Sequence, residues 1–253
     1  MSVLIEQTER TAWITLDRPP LNILNLPMIE DLSRALGQVQ ENSAVDFVVL
    51  RGSGERAFSA GVDVKDHTRE RVPDMLDAVH GVIRQLLSLG QITVAQVRGA
   101  CLGGGCELAS SCDFVLASED SVFATPEINV GCYPPVALAR FPGQMGYHRA
   151  AEMILTGRRL TAREAMEFGL VNRVVGAQEL RQAVDSLLAE LKTKSGAVLH
   201  LTLKGLRAVG ADAFRESLKM SERIYLDELL RTDDVEEGVQ AFLAKRKPQW
   251  KHR

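Results

Sequence analysis

Two carboxylates sit beside glycine-rich or proline-led turns in this chain. Glu107 closes the run Gly103-Gly104-Gly105-Cys106-Glu107, and Glu127 follows Pro126 twenty positions later. Glycines lack Cβ and let the backbone approach a ligand closely, and free N–H groups at a helix start favour negative charge. A carboxylate beside such donors suits acid–base chemistry on a group that gains negative charge. The same triplet also suits a plain strand-to-helix turn with a glutamate in its first helical turn. A third small-residue turn, Phe58-Ser59-Ala60-Gly61-Val62-Asp63-Val64, precedes both acids.

The elements around these residues alternate between strand and helix patterns. Residues 92–97 are apolar and β-branched, which predicts a buried strand feeding the glycine turn. Residues 3–5 and 11–16 predict a hairpin turning at 7–10. Asn25, with Pro27 just after it, predicts a helix start, and Met28, Ile29, Leu32, Ala35, Leu36 and Val39 mark its buried face. Residues 45–50 form a continuous apolar strand of the kind covered on both faces. A helix follows over 75–89, where His80 reads as a partly buried polar residue, with no carboxylate partner evident from spacing alone. Short strands are expected at 112–117 and 122–124, which puts Glu127 just past a strand end, where α/β folds carry function.

Farther on, Thr161 and Glu164 predict a capping box, residues 171–175 a last strand, and 179–191 an amphipathic helix. Beyond Ser195 only helical patterns occur, over 198–209, 213–230 and 233–245, the last opened by a second capping box from Asp233 to Glu236. The expected organisation is an α/β core over 1–195 and a helical module over 196–253. The tail from Lys245 to Arg253 holds no acid, which suits a solvated helix end or a phosphate contact.

Composition excludes several classes. The chain has 253 residues, 25% charged and 45% hydrophobic, with a net charge of −3. That gives no electrostatic case for nucleic acid or an anionic membrane. No apolar run reaches the ~18 residues of a membrane span. The opening Met1-Ser2-Val3-Leu4-Ile5-Glu6 lacks a leader pattern, so a cytoplasmic protein is expected. Cys101, Cys106, Cys112 and Cys132 show no metal-ligand spacing and read as buried free thiols. Gly52-Ser53-Gly54-Glu55-Arg56-Ala57 matches a dinucleotide fingerprint literally, but no amphipathic helix follows at once, and no P-loop or nucleophile elbow occurs.

Taken jointly, the 58–64 turn, the glycine turn with Glu107, and Pro126-Glu127 closely resemble the crotonase superfamily, also called the enoyl-CoA hydratase/isomerase family. The likeness spans nearly the whole chain, including Asp17-Arg18-Pro19 with Asn22, Leu155-Thr156-Gly157, Gly169-Leu170-Val171 and Phe242-Leu243-Ala244-Lys245-Arg246. It implies an α/β spiral of ββα units with a C-terminal helical trimerisation module, in trimers or hexamers. It implies an acyl-CoA thioester as substrate and no cofactor beyond that CoA. By position it assigns the backbone N–H groups of Ala60 and Gly104 to an oxyanion hole. Ala60, Gly61, Val62, Asp63 and Val64 would line the CoA, and Phe242 and Lys245 would reach its adenine and phosphate. Relatives that hydrate carry a glutamate at both acid positions, so Glu107 and Glu127 imply a hydratase. An isomerase, an acyl-CoA hydrolase and a non-catalytic acyl-CoA-binding relative are the alternatives.

The chain departs from that pattern after the second acid. Pro134-Pro135-Val136-Ala137-Leu138-Ala139-Arg140 stands where relatives have a glycine-rich run, which predicts a stiffened turn with Pro134, Pro135, Ala137 and Leu138 at the acyl pocket. With Pro20-Leu21-Asn22, it resembles the cyclic dienoyl-CoA hydratases of that superfamily.

Overall fold

The structure is a computed structural model that describes residues 2–253; Met1, at the head of the stretch read for a leader, lies outside the described residues. Strands β1 (Val3–Thr8) and β2 (Thr11–Leu16) pair antiparallel through a turn at Glu9 and Arg10. Helix α1 (Leu26–Glu41) starts where expected, because the Asn25 carboxamide oxygen accepts the Met28 N–H at 3.1 Å. All six residues of its predicted apolar face are buried.

The next strands come in pairs. β3 (Phe47–Gly52) is followed by β4 (Ala57–Ser59), then helix α2 (Val72–Ser88). β5 (Ile92–Val97) is followed by β6 (Ala100–Leu102), then α3 (Gly104–Ser110), and β7 (Phe114–Ser118) by β8 (Val122–Ala124). The second strands β4 and β6 were not foreseen. At three residues each, they are too short to show a period.

Helices α4 (Pro135–Met145) and α5 (Tyr147–Thr156), strand β9 (Leu160–Thr161), helix α6 (Ala162–Glu167), strand β10 (Arg173–Val175) and helix α7 (Leu180–Lys192) follow. Helices α8 (Gly196–Ala208), α9 (Ala211–Asp227) and α10 (Asp233–Leu243) end the chain. The Thr161 box forms with both reciprocal bonds. The Asp233 box does not: Thr232 is the cap residue, and the Asp233 carboxylate pairs with Lys251 and Arg253.

First strands build a large sheet in the order β1-β2-β3-β5-β7-β10, parallel from β2 onward. Second strands build a smaller sheet in the order β4-β6-β8-β9, parallel through β8. This is the mixed α/β architecture of stacked ββα units that the resemblance implied. β3 explains its own unbroken apolar run: Val48 and Leu50 enter the core between the layers, while Phe47 and Val49 face Trp13, Val184 and Leu188 on the other side.

Candidate active site

Adjacent parallel strands β4, β6 and β8 end side by side. The 60–64 turn leaves β4, the glycine turn leaves β6, and Pro126-Glu127 leaves β8. Three segments far apart in sequence therefore meet at one sheet edge, at the strand ends where parallel sheets place ligands. They border a cavity of about 480 Å³.

Backbone pairing sets the donors of that edge. The Ser59 hydroxyl donates to the Asn22 carbonyl at 2.8 Å, and the Ala60 N–H donates to the Leu21 carbonyl at 2.9 Å. That commitment corrects the assignment of Ala60 as a donor to ligand. Leu24 N–H donates to Gly61, and Asp63 N–H donates to Leu24, which leaves the intervening Val62 N–H without an acceptor among the described residues. The first-turn N–H of Gly104 has no acceptor within its own helix. These two groups adjoin: a Cβ on Gly104 would fall 2.8 Å from Val62 Cγ2 and 3.6 Å from Val62 N. The Val62 and Gly104 amides thus lie side by side at the cavity without backbone acceptors, two residues beyond the Ala60 position that the resemblance had assigned.

Glu107 is 4% exposed. Its Oε1 accepts the Ala137 N–H at 2.9 Å, so the carboxylate serves the amino end of α4, where Pro135 in the first turn contributes no donor. The Pro134–Ala137 run therefore begins a helix where a stiffened turn was expected. Pro134 and Pro135 border the cavity, Ala137 holds Glu107 through its backbone, and Leu138 is 38% exposed and points elsewhere. Burial raises the Glu107 carboxyl above its ordinary range; the α4 amides and nearby His80 oppose that shift.

Glu127 opens the turn Pro126–Val130. Its Oε1 lies against Gly103, whose φ is 53°, and its Oε2 is sealed with no hydrogen-bond partner among the described residues. Burial first, and the Glu107 charge second, push this carboxyl up to about 8. Two buried acids facing one cavity cannot both ionise readily, and Glu127 is the one whose proton is held through neutrality.

The residues expected at the CoA are unevenly placed around the cavity. Gly61, Val62, Asp63, Val64 and Phe242 border the cavity. Lys245 does not; Arg246 and Pro248 do, together with Arg159. The tail is also less free than its composition suggests, since Arg246 pairs with Glu237. Spacing alone showed no partner for His80, and its Nδ1 lies 2.6 Å from Glu222 Oε1 across 142 positions, a pairing that no local spacing could reveal. All four cysteines are free and buried.

The fold is shared with solved structures of acyl-CoA enzymes. An enoyl-CoA hydratase from Mycobacterium avium subsp. paratuberculosis K-10 superposes with a TM-score of 0.89 at 28% identity, covering 99% of this chain and 98% of that one. A methylmalonyl-CoA decarboxylase in complex with 2-nitronate-propionyl-CoA superposes at 0.88 with 26% identity, over 100% and 99% of the two chains. A probable enoyl-CoA hydratase of Rhizobium meliloti is 35% identical, over 100% of this chain and 98% of its own. The cyclohexa-1,5-dienecarbonyl-CoA hydratase of Thauera aromatica is 30% identical, over 100% and 97%. The family model described as enoyl-CoA hydratase/isomerase matches residues 6–253. The chain belongs to the enoyl-CoA hydratase/isomerase family and is an enzyme of that family.

Proposed function

We propose that the protein reversibly adds water to a conjugated enoyl- or dienoyl-CoA thioester. The observation that carries this reading is the asymmetry of the acid pair. Glu107 is fastened by the α4 amides, whereas Glu127 keeps a free oxygen and a carboxyl raised to about 8. In the hydration direction, Glu107 accepts a proton from water as the water oxygen bonds to Cβ. The π electrons move to the thioester oxygen, where the Val62 and Gly104 amides stabilise the developing enolate. Glu127 then delivers its proton to Cα, and exchange with solvent moves the surplus proton from Glu107 back to Glu127. This chemistry requires only the acids, the amides and the CoA of the substrate.

The Pro134-Pro135 wall and the Thauera relative support a dienoyl group among the substrates. Phe242 and Arg246 are placed to meet the CoA moiety. The segment 196–253 is proposed as the oligomerisation module of a homotrimer or homohexamer, supported by the exposed apolar side chains Val198, Leu201, Leu206 and Val209 on and beside α8. No helix among the described residues is long and apolar enough to cross a membrane. The four free thiols suit a reducing, cytoplasmic setting.

The test is a mass-spectrometric screen for +18 Da products across linear, aromatic-derived and cyclic unsaturated acyl-CoAs, repeated with Glu107→Gln and Glu127→Gln. Each substitution should lower hydration by ~10²-fold or more, the order that a positioned acid or base contributes. Double-bond migration or CoA release in place of hydration would move the assignment to an isomerase or hydrolase.

A further inference from the structure

Met75, Leu76 and Val79 of α2 border the cavity, as does Tyr225 of α9, whose ring packs edge-on against Tyr133 and whose hydroxyl has no partner among the described residues. His80 of α2 stands among them. His80 is 1% exposed and borders the same cavity as Glu107. Its Nδ1 is engaged by Glu222 of α9 at 2.6 Å, and Arg84 stands 3.4 Å from the same carboxylate oxygen. A carboxylate only accepts, so the proton of this bond belongs to Nδ1. The Glu222 carboxyl is held below its ordinary range, chiefly by this bond, which keeps the pair in that form. The ring is thus oriented, and Nε2 is left without a partner among the described residues, in a side chain that borders the cavity.

A buried imidazole with one nitrogen unsatisfied leaves hydrogen-bonding capacity unused inside an apolar wall, which is unfavourable unless a ligand or water fills it. We propose that His80, oriented by Glu222, is a specificity-determining residue that hydrogen-bonds a hydroxyl group on the acyl chain. That hydroxyl lies beyond carbon 3 and is distinct from the one hydration installs. A hydroxyl fits either state of the ring: it donates to the Nε2 lone pair of neutral imidazole and accepts from Nε2–H of imidazolium. An unsubstituted alkyl chain would bury Nε2 unpaired.

This inference rests on acyl-CoA occupying the cavity, and binding measurements separate it from the hydratase reading. Calorimetric Kd values for hexanoyl-CoA and for its 4-, 5- and 6-hydroxy counterparts, none of which can be hydrated, are compared in wild type, His80→Leu and Glu222→Gln. At least one hydroxylated ligand should bind wild type on the order of tenfold more tightly than hexanoyl-CoA. That ratio should fall to about one in His80→Leu and partway in Glu222→Gln, which keeps the imidazole but loosens its anchor. If His80→Leu does not fold, Glu222→Gln carries the test alone. Equal or weaker binding of every hydroxylated ligand by wild type overturns the proposal, as does a ratio that survives both substitutions. Binding with the expected ratio but without hydration of any unsaturated acyl-CoA would leave this inference standing and remove the hydratase reading. Failure of wild type to bind any of the four ligands would remove both.

Discussion

Gly103→Ala isolates what the glycine turn does for the acid that follows β8. The residue sits at φ 53° and ψ −130°, a combination that side chains rarely adopt. Forcing it there costs about 1–3 kcal/mol. A Cβ at this position would lie 2.5 Å from Glu127 Oε1, against 3.4 Å for ordinary contact, so the carboxyl must retreat by roughly 0.9 Å. Misplacement of a reacting group by about 1 Å typically lowers turnover by ~10²-fold. The expected outcome is kcat reduced about a hundredfold, with Tm lowered by about 2–12 °C. Steady-state kinetics and thermal melts check it. Gly81→Ala is the control: Gly81 lies inside α2 with open space around its would-be Cβ, and the helix should gain up to ~1 kcal/mol. Turnover of Gly103→Ala within threefold of wild type, at unchanged Tm, would refute the placement of Glu127 against the glycine turn.

Hydration needs Glu107 ionised and Glu127 protonated, so kcat/KM should trace a bell whose alkaline limb falls through about pH 8 as the pair loses its last proton; a flat profile to pH 10 would contradict this. The same shift has a stability sign. A carboxyl raised on folding carries no penalty below its ordinary value of 4.5 and destabilises the native state increasingly as the pH rises from there to its folded value of about 8, so Glu127→Gln should raise Tm more at pH 9 than at pH 5. Asn22→Ala removes donors to the Ser53 and Ala57 carbonyls at 3.0 and 2.8 Å and an acceptor for Arg18 N–H at 3.1 Å. Its expected loss is about 3 kcal/mol, or about 10 °C in Tm, because the carbonyls stay buried without partners. Thr161→Ala breaks the observed capping box at the start of α6 and should cost about 1 kcal/mol by urea denaturation.

The Asn22 network also shows why one part of the site resisted sequence reasoning. The 21–24 segment lies beside 60–63, and their pairing decides which amide is spent on the neighbouring backbone and which stays free. Position in the family pattern suggested Ala60; alternation of N–H direction along the paired segment leaves Val62. No residue type encodes that choice.

What the sequence determined by itself is what short-range physics controls. Asn25 and Thr161 capped the helices they were expected to cap, the apolar period placed the buried face of α1, and β-branched runs marked β2, β3 and β5. The residue types of Glu107, Glu127 and the glycine turn were enough to propose acid–base chemistry near an anion-stabilising backbone. Tertiary structure decided the relations between distant segments. It joined β4, β6 and β8 into one edge so that the three turns face one cavity. It used the Pro134–Ala137 run to fasten Glu107, and it supplied His80 with Glu222 from a helix more than a hundred residues away. Local patterns record the interactions of a residue with its near neighbours in the chain. Burial, carboxyl pKa and hydrogen-bond partnership depend on neighbours brought in by folding, so Gly103-Gly104-Gly105 became half of a donor pair only when Val62 was laid against it.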